Sequence, residues 1–471
     1  MADRDGPDGP DERWKTAIRA VIPLFGFIMC RSFIPTTMSL TLDSPVIRNA
    51  PTIPPSSSTG KLPALGWNTW NAYRCNISEE KILAAGQQFV DLGLQRAGYE
   101  YVNIDDCWSA KSGRDPNTKR IVPDSAKFPN GIDQVASKIH DLGLKIGIYS
   151  DAGTKTCAGY PGSLGNEFTD ASTFADWGID YLKYDNCNVP HNWTDKRPPN
   201  NDWYYSYSAI RFRQMTAALA NQSRPIQYDL CIWGDARVWE WGAKVGHSWR
   251  ITPDSTPTWD FILDAITTNV DILNRVDFYS HNDMDMMEIG NGKLTLQEER
   301  THFAAWAFMK SPILLGTDLG NLSQVQLGIL QNPEILAFHQ DAMYGQPAMP
   351  FKNAGSLKTS PPEYYSGQSV KGLHVFVINL GDRSSEKSIN FTSVPGLGYN
   401  SSGLVLVHDM WTGQDIGLYR DSYNFSMEAH DTAAFALHLP SVTFPVQETI
   451  RSSSRTLLSQ IRTPEAITAG T

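Results

Sequence analysis

Two aspartates stand where apolar runs give way to charge. In "YLKYDNC" (181–187) Asp185 follows Lys183 by two residues, and in "WRITPD" (249–254) Asp254 follows Arg250 by four. Hydrolysis of a glycosidic bond needs two such carboxyl groups: one attacks the sugar or activates water, and the other protonates the departing oxygen. Residues two apart on a strand point the same way, so the Lys183 ammonium is expected to hold Asp185 ionised, as a nucleophile must be. Asp254 needs a raised pKa to act as an acid, and spacing alone does not supply one. The plainer alternatives are a buried ion pair for Lys183–Asp185 and a helix-start ion pair for Arg250–Asp254.

A second acidic pair, Asp105-Asp106, suits hydrogen bonding to the hydroxyls of a polyol. The rival reading makes it a metal site, with Asp283 and Asp285 of "HNDMDM" adding ligands. The His clusters common in metallohydrolases are missing, so no metal and no cofactor is expected. Trp67 is a candidate for stacking on a sugar face, with a core Trp as the alternative.

These residues need elements to hold them. "DLGL" stands at 91–94 and 141–144, and "DWGI" at 176–179. Before the first, Ser78 can N-cap, Glu79 and Glu80 occupy the first turn, and Ile82, Ala85, Phe89 and Leu92 share a face. Ile132, Val135, Ile139 and Leu142 repeat that face before the second, and Phe174 and Trp177 lead to the third. Gly93, Gly143 and Gly178 then supply left-handed stops. Three helix–Gly–strand joints in a row imply βα units and a parallel sheet. Strand candidates at 64–70, 99–105, 144–151, 179–185, 226–233, 248–254, 277–283 and 313–318 make eight over roughly 250 residues, the size of a (β/α)8 barrel. The segment between the fifth and sixth has room only for a brief helix. A doubly wound open sheet lacks support, since no GxGxxG follows the first strand. Asp105-Asp106, Asp151, Asp185, Asp254, Asp283 and Asp318 all end strands, which in a barrel brings them to the rim that carries active sites.

After about residue 345 short alternating runs (372–380, 388–394, 403–411, 432–439) separated by Gly, Ser and Asn predict an antiparallel β-sandwich. The expected organisation is a leader and Pro/Ser linker over 1–60, a catalytic barrel over 61–344, the sandwich over 345–441, and a polar, disordered tail over 442–471. Within 1–60, the apolar run "AVIPLFGFIMC" (20–30) resembles a signal core, although an acidic stretch precedes it.

The chain has 471 residues, 41% apolar, with 14 Trp and a net charge of -10. That charge argues against nucleic acid or an anionic membrane as partner. Seven N-x-[ST] sequons, at Asn76, Asn192, Asn221, Asn321, Asn390, Asn400 and Asn424, point to secretion. The six cysteines contain no CxxC.

The motifs "LGWNTWN" (65–71), "NIDDCW" (103–108), "SDAGTKTCAGYPGSLG" (150–165), "YLKYDNC" (181–187) and "NPEILAFHQD" (332–341) together resemble the α-galactosidases of glycoside hydrolase family 27, the melibiases, most closely the fungal secreted type. The resemblance runs from Leu65 to His438. It implies a barrel with a C-terminal β-sandwich and a retaining exo-acting enzyme on α-galactosides such as melibiose, raffinose-type sugars and galactomannan side chains. Asp185 would be the nucleophile and Asp254 the acid/base, their carboxyls about 5–6 Å apart. Asp105 and Asp106 would bind galactose hydroxyls. Lys183, Arg250, Trp67 and the fifth-strand tip, Cys231-Ile232-Trp233-Gly234, would line the sugar site, with Met286 packing beside it. The implied disulfides are Cys75–Cys107 and Cys157–Cys187, leaving Cys231 free, with Cys30 in the leader. Ile232 departs from the polar residue usual in relatives. Its bulk and that of Trp233 argue against the alternative α-N-acetylgalactosaminidase activity. The other alternative is a galactose-binding protein without turnover.

Overall fold

The computed structural model describes residues 50–401 and 403–440. The leader, Cys30 and the tail from 442 lie outside the described residues. Of the linker, residues 50–60 form neither helix nor strand, and His247 Nε2 donates to the Ser56 carbonyl (2.8 Å).

Eight short strands follow: β1 (Leu65–Asn68), β2 (Tyr101–Asn103), β3 (Lys145–Asp151), β4 (Tyr181–Asp185), β5 (Gln227–Leu230), β6 (Ser248–Arg250), β7 (His281–Asp283) and β8 (Ile313–Leu315). All pair in parallel, in the order β7-β6-β5-β4-β3-β2-β1-β8. The curled sheet closes just past β7, where Met287 bridges Leu315 and exchanges main-chain bonds with Leu314 and Gly316. This is the eight-stranded barrel.

Helices α1 (Thr69–Tyr73), α2 (Glu79–Asp91), α3 (Ile132–Asp141), α4 (Glu167–Asp176), α5 (Tyr207–Ala220), α6 (Trp259–Val270) and α7 (Leu296–Phe308) alternate with the strands. The short α8 (Gln324–Leu330) and α9 (Pro333–His339) follow β8. Ser78 Oγ caps α2 by accepting from the Lys81 N–H. Gly93, Gly143 and Gly178 stop α2, α3 and α4 at φ of 79°, 73° and 79°, the left-handed conformation that favours Gly. The next amides close back: Leu144 N–H donates to Ile139 and Ile179 N–H to Phe174. Each repeat therefore turns its chain into the following strand. Between β5 and β6 only two 3₁₀ segments intervene, Asp235–Glu240 and Gly242–Lys244.

Strand alternation decides what faces the barrel axis. Asn68, Asn103, Tyr149, Asp151, Lys183, Asp185, Asp229 and Arg250 share the inward parity, and polar contacts cross between strands there, Tyr149 to Asp185 and both Asn68 and Lys183 to Asp105. The other parity, Trp67, Val102, Ile104, Ile148, Leu182, Tyr184, Leu230, Ile232 and Trp249, joins the apolar layer under the helices.

The C-terminal part holds β9 (Met349–Pro350), β10 (Tyr364–Ser369), β11 (Gly372–Ile378), β12 (Ser385–Asn390), β13 (Val405–Asp409), β14 (Gln414–Tyr419), β15 (Ser422–Met427) and β16 (Thr432–His438). Six form an antiparallel sheet, β14-β13-β16-β11-β10-β9, and β12 pairs with β15. Val375, Val377, Val405, Val407 and Leu437 of the larger sheet meet Ile389 and Met427 of the smaller in one core. On the opposite face Phe376 stacks on Phe308 of α7 (centroids 4.8 Å apart) and meets Phe338 of α9 edge-on. The central strand β11 is thus covered on both sides, which is why it reads as a continuous apolar run.

Candidate active site

The C-terminal ends of the barrel strands surround an open cavity of about 490 Å³. Asp105, Asp106, Asp185 and Asp254 line it together with Lys183, Trp70, Tyr149, Trp233, Pro253 and the Cys157–Cys187 disulfide. Strands far apart in the chain converge here: β2 leads to Asp105, β4 carries Lys183 and Asp185, and β6 leads into the loop bearing Asp254.

Asp185 ends β4 and is 5% exposed. Tyr149 O–H donates to its Oδ2 (2.9 Å), and the Asn186 N–H donates to Oδ1 (2.9 Å). Burial pushes it up to about 6, against the pull of Lys183 and of those two donors. Asp151, its register partner on β3, is also buried; burial and the charge of Asp185 raise it well above the carboxylate range. Asp151 accepts from the Gly153 and Cys187 N–H groups, which brings the loop after β3 against the end of β4. A side chain at Gly153 would start 1.9 Å from the Cys187 carbonyl, so this contact requires glycine.

Lys183 does not pair with Asp185. Its Nζ donates to Asp105 Oδ2 (2.8 Å), which also accepts from Asn68 Nδ2 (2.8 Å). The expectation that Lys183 holds Asp185 fully ionised is corrected here: it lowers Asp185 but loses to burial, because its direct bond goes elsewhere. Asp106 turns to the same cavity through Cys107, whose φ is 75° and whose disulfide to Cys75 ties the turn to the segment after α1. Ala158 N–H donates to Asp106 Oδ2, and burial raises the acid.

Asp254 is the most accessible of the four, its side chain 57% exposed. Arg250 Nη2 holds it at 2.7 Å, while Nη1 of the same fully buried guanidinium holds Asp285 at 2.8 Å. Burial would raise Asp254, but Arg250 and Lys183 outweigh it and keep Asp254 below its ordinary value. The pair does not start a helix: α6 begins only at Trp259.

Several expected sugar contacts lie elsewhere. Trp67 is fully buried and donates Nε1–H to the Thr317 carbonyl (2.7 Å). It has the outward parity on β1, so it packs under the helices, and Trp70, on α1, takes the cavity position. Ile232 is likewise outward and buried, so its bulk bears on the core rather than on a substrate. Of the fifth-strand tip only Trp233 (φ 54°) lines the cavity. Cys231, free and buried, sits behind Arg250 (Nη1 to Sγ 3.7 Å), and Gly234 is a left-handed turn that does not line the cavity. Met286 is buried with Ala64, Tyr101, Tyr181 and Leu314, and Trp70 packs on that cluster. Arg250 lies behind Asp254 instead of on the cavity wall. Asp283 and Asp285 form no metal-ligand cluster with Asp105 and Asp106. Among the described residues the one cluster with metal-ligand proximity is Asp151, Asp185, Cys157 and Cys187, two of which are tied in the disulfide.

Trp70, Tyr149 and Pro253 are cavity residues that the sequence reading missed. Tyr149 shares the strand parity of Asp151, and Asn68 is a capping residue that starts a helix before Trp70, so both were recoverable. Pro253 carries no such signal.

Comparison with known proteins gives a consistent picture. The melibiase model for alpha galactosidase A matches residues 62–341, and that for the alpha galactosidase C-terminal beta sandwich domain matches 359–437. The probable alpha-galactosidase B of Aspergillus oryzae is 46% identical over 440 residues, 85% of this chain and 98% of that protein. Alpha-galactosidase I from Mortierella vinacea superposes with a TM-score of 0.71 at 33% identity, covering 80% of this chain and 96% of that one. The Saccharomyces cerevisiae α-galactosidase solved with raffinose gives 0.72 at 29% identity, covering 82% and 100%.

Proposed function

Since this chain belongs to the melibiase family, the α-galactosidases of glycoside hydrolase family 27, we propose that it removes terminal α-D-galactose by a double displacement that retains the anomeric configuration. Asp185 attacks the anomeric carbon, Asp254 gives a proton to the departing oxygen, and water then enters with Asp254 as base. Asp105 and Asp106, with Lys183, hold the sugar hydroxyls, and Trp70 and Trp233 supply apolar walls. The observation that carries this reading is the convergence of Asp185 and Asp254 on one cavity beside Asp105, Asp106 and Lys183. Melibiose, raffinose-type oligosaccharides and galactomannan side chains are the proposed substrates, supported by the raffinose bound to the yeast relative.

Proton NMR during hydrolysis of p-nitrophenyl α-galactoside tests the mechanism. The first sugar formed should be α-galactose, and β-galactose would overturn retention. The N-acetylated analogue in the same assay should be cleaved poorly or not at all.

The proton balance predicts a further result. In the free enzyme burial favours a proton on Asp185, while Arg250 favours charge on Asp254, the reverse of what the first step uses. A bound galactoside covers Asp254 and takes it out of water, which raises its pKa. The first step needs Asp185 ionised and Asp254 protonated; with Asp185 the higher of the two in the free enzyme, kcat/KM should fall as the pH rises through about 6, and fall on the acid side only below the ordinary aspartate value. In the complex the alkaline limb follows loss of the raised Asp254 proton. It should lie at higher pH in kcat, which reports the complex, than in kcat/KM, which reports the free enzyme. Coincident alkaline limbs would refute this.

We also propose that the protein is secreted. Six of the sequon asparagines, all but Asn390, are exposed, and two disulfides are formed. Among the described residues no helix is long and apolar enough to cross a membrane.

A further inference from the structure

The segment that carries Asp254 has no regular structure. Residues 251–258 lie outside any helix or strand, and beyond the Ile251 N–H bond to the Asp283 carbonyl no ladder bond holds them. A carboxyl that must meet a glycosidic oxygen within a few tenths of an ångström needs a fixed base, and main-chain regularity does not provide it here.

Side chains do. Ser255, the neighbour of Asp254, is 3% exposed. Its N–H donates to Asp285 Oδ2 (2.6 Å) and its Oγ–H to Glu288 Oε1 (2.9 Å). The same Glu288 oxygen accepts from Asn71 Nδ2 (2.5 Å), and Asn71 Nδ2 also reaches Ser255 Oγ (2.8 Å). Glu288 Oε2 accepts from Asn291 Nδ2 (2.7 Å). One carboxyl group thus ties together the Asp254 loop, the segment after β7, and α1, where Asn71 adjoins the cavity residue Trp70.

Glu288 is 2% exposed and forms no ion pair among the described residues. Its main chain is fixed too, the N–H donating to Nε2 of the buried His302 (3.0 Å). A buried carboxyl whose partners are all neutral is costly, and an apolar residue would pack there at less expense. Burial raises its pKa against the bonds from Asn291, Ser255 and Asn71.

We propose that Glu288, with Ser255 and Asn71, is a positioning unit that holds the Asp254 loop at the distance needed for proton donation to the leaving group. These residues touch no substrate and act through Asp254. The inference rests on the acid/base role assigned to Asp254 above.

The test compares kcat/KM on two galactosides, melibiose, whose sugar leaving group needs a proton, and 2,4-dinitrophenyl α-galactoside, whose leaving group does not. Ser255→Ala and Glu288→Gln should each lose ~10–100-fold on melibiose and stay within about 3-fold of wild type on the activated substrate. Ser255→Thr, which keeps the hydroxyl, should restore the wild-type ratio of the two. A merely structural role would lower both substrates alike, and equal losses, or no loss on either, would overturn the proposal. If Ser255→Ala does not fold, Glu288→Gln decides alone. Asp254→Ala is measured alongside. If it shows selective loss on melibiose while the positioning variants do not, only the present inference fails. If it loses both substrates equally, the acid/base reading itself is wrong and this inference falls with it.

Discussion

Asp185→Asn should turn over p-nitrophenyl α-galactoside at least ~10⁴-fold more slowly than the wild type while folding normally. The amide cannot form a glycosyl-enzyme bond, and loss of a nucleophile is among the largest single effects in enzymes that use one. The fold should tolerate the change because the side chain's two contacts survive it. Asn Oδ1 can still accept from the Asn186 N–H, and the Tyr149 hydroxyl can accept from the new amide as well as it donated to the acid. No cation is stranded either, since Lys183 bonds to Asp105. Turnover near the wild-type rate, with an unchanged unfolding temperature, would remove Asp185 from the chemistry.

Lys183→Met should cost about 3–5 kcal/mol of stability, besides weakening substrate binding. Lys183 and Asp105 are both buried, with side chains 10% and 2% exposed, at 2.8 Å. Taking away the ammonium leaves the Asp105 carboxylate with only neutral partners, the Asn68 amide and the Asp106 N–H, in a buried setting where Asp185, Asp229 and Asp285 also surround Lys183. Those groups also lose a cation that lowers them. Adding Asp105→Asn to Lys183→Met removes the stranded charge, so the double variant should recover much of the stability and none of the activity. Thermal unfolding of the wild type, the single variant and the double variant reads this directly. A single variant as stable as the wild type would mean that the pair is not desolvated.

The acids that line the candidate cavity were largely legible in the chain because strand ends are. A polar residue after an apolar run, repeated at βα spacing, locates a rim, and Asp105, Asp185 and Asp254 were all found that way. Direction along a strand was the weaker inference. Residue type and the family resemblance point Trp67 to the sugar, and the resemblance alone points Ile232 there, yet each has the same parity as its apolar neighbours, Leu65 and Leu230, and follows them under the helices. Parity counted from Lys183 and Asp185 would have selected Tyr149 on the adjacent strand. Partner choice was not legible at all. Lys183 has an aspartate two residues away and bonds to one 78 positions earlier, because β2 and β4 flank β3 and turn side chains of one parity toward the same interior, while neighbours on β4 only share a direction. For the same reason Glu288 gave no sequence signal: two of its three side-chain partners, Ser255 and Asn71, come from distant segments, and only Asn291 is local.

The double covering of β11 has a bearing on how the chain can be divided. Its two faces belong to different cores, Val375 and Val377 to the sandwich, Phe376 and Ile378 to the barrel. A cut anywhere between α9 and β10 would leave Phe308 and Phe338 facing water and strip the barrel of part of its own interior. The border between the two architectures is therefore one of topology and not of autonomy: the strand that centres the second sheet is also a wall of the first, and neither part is a module that can be traded for another without rewriting both.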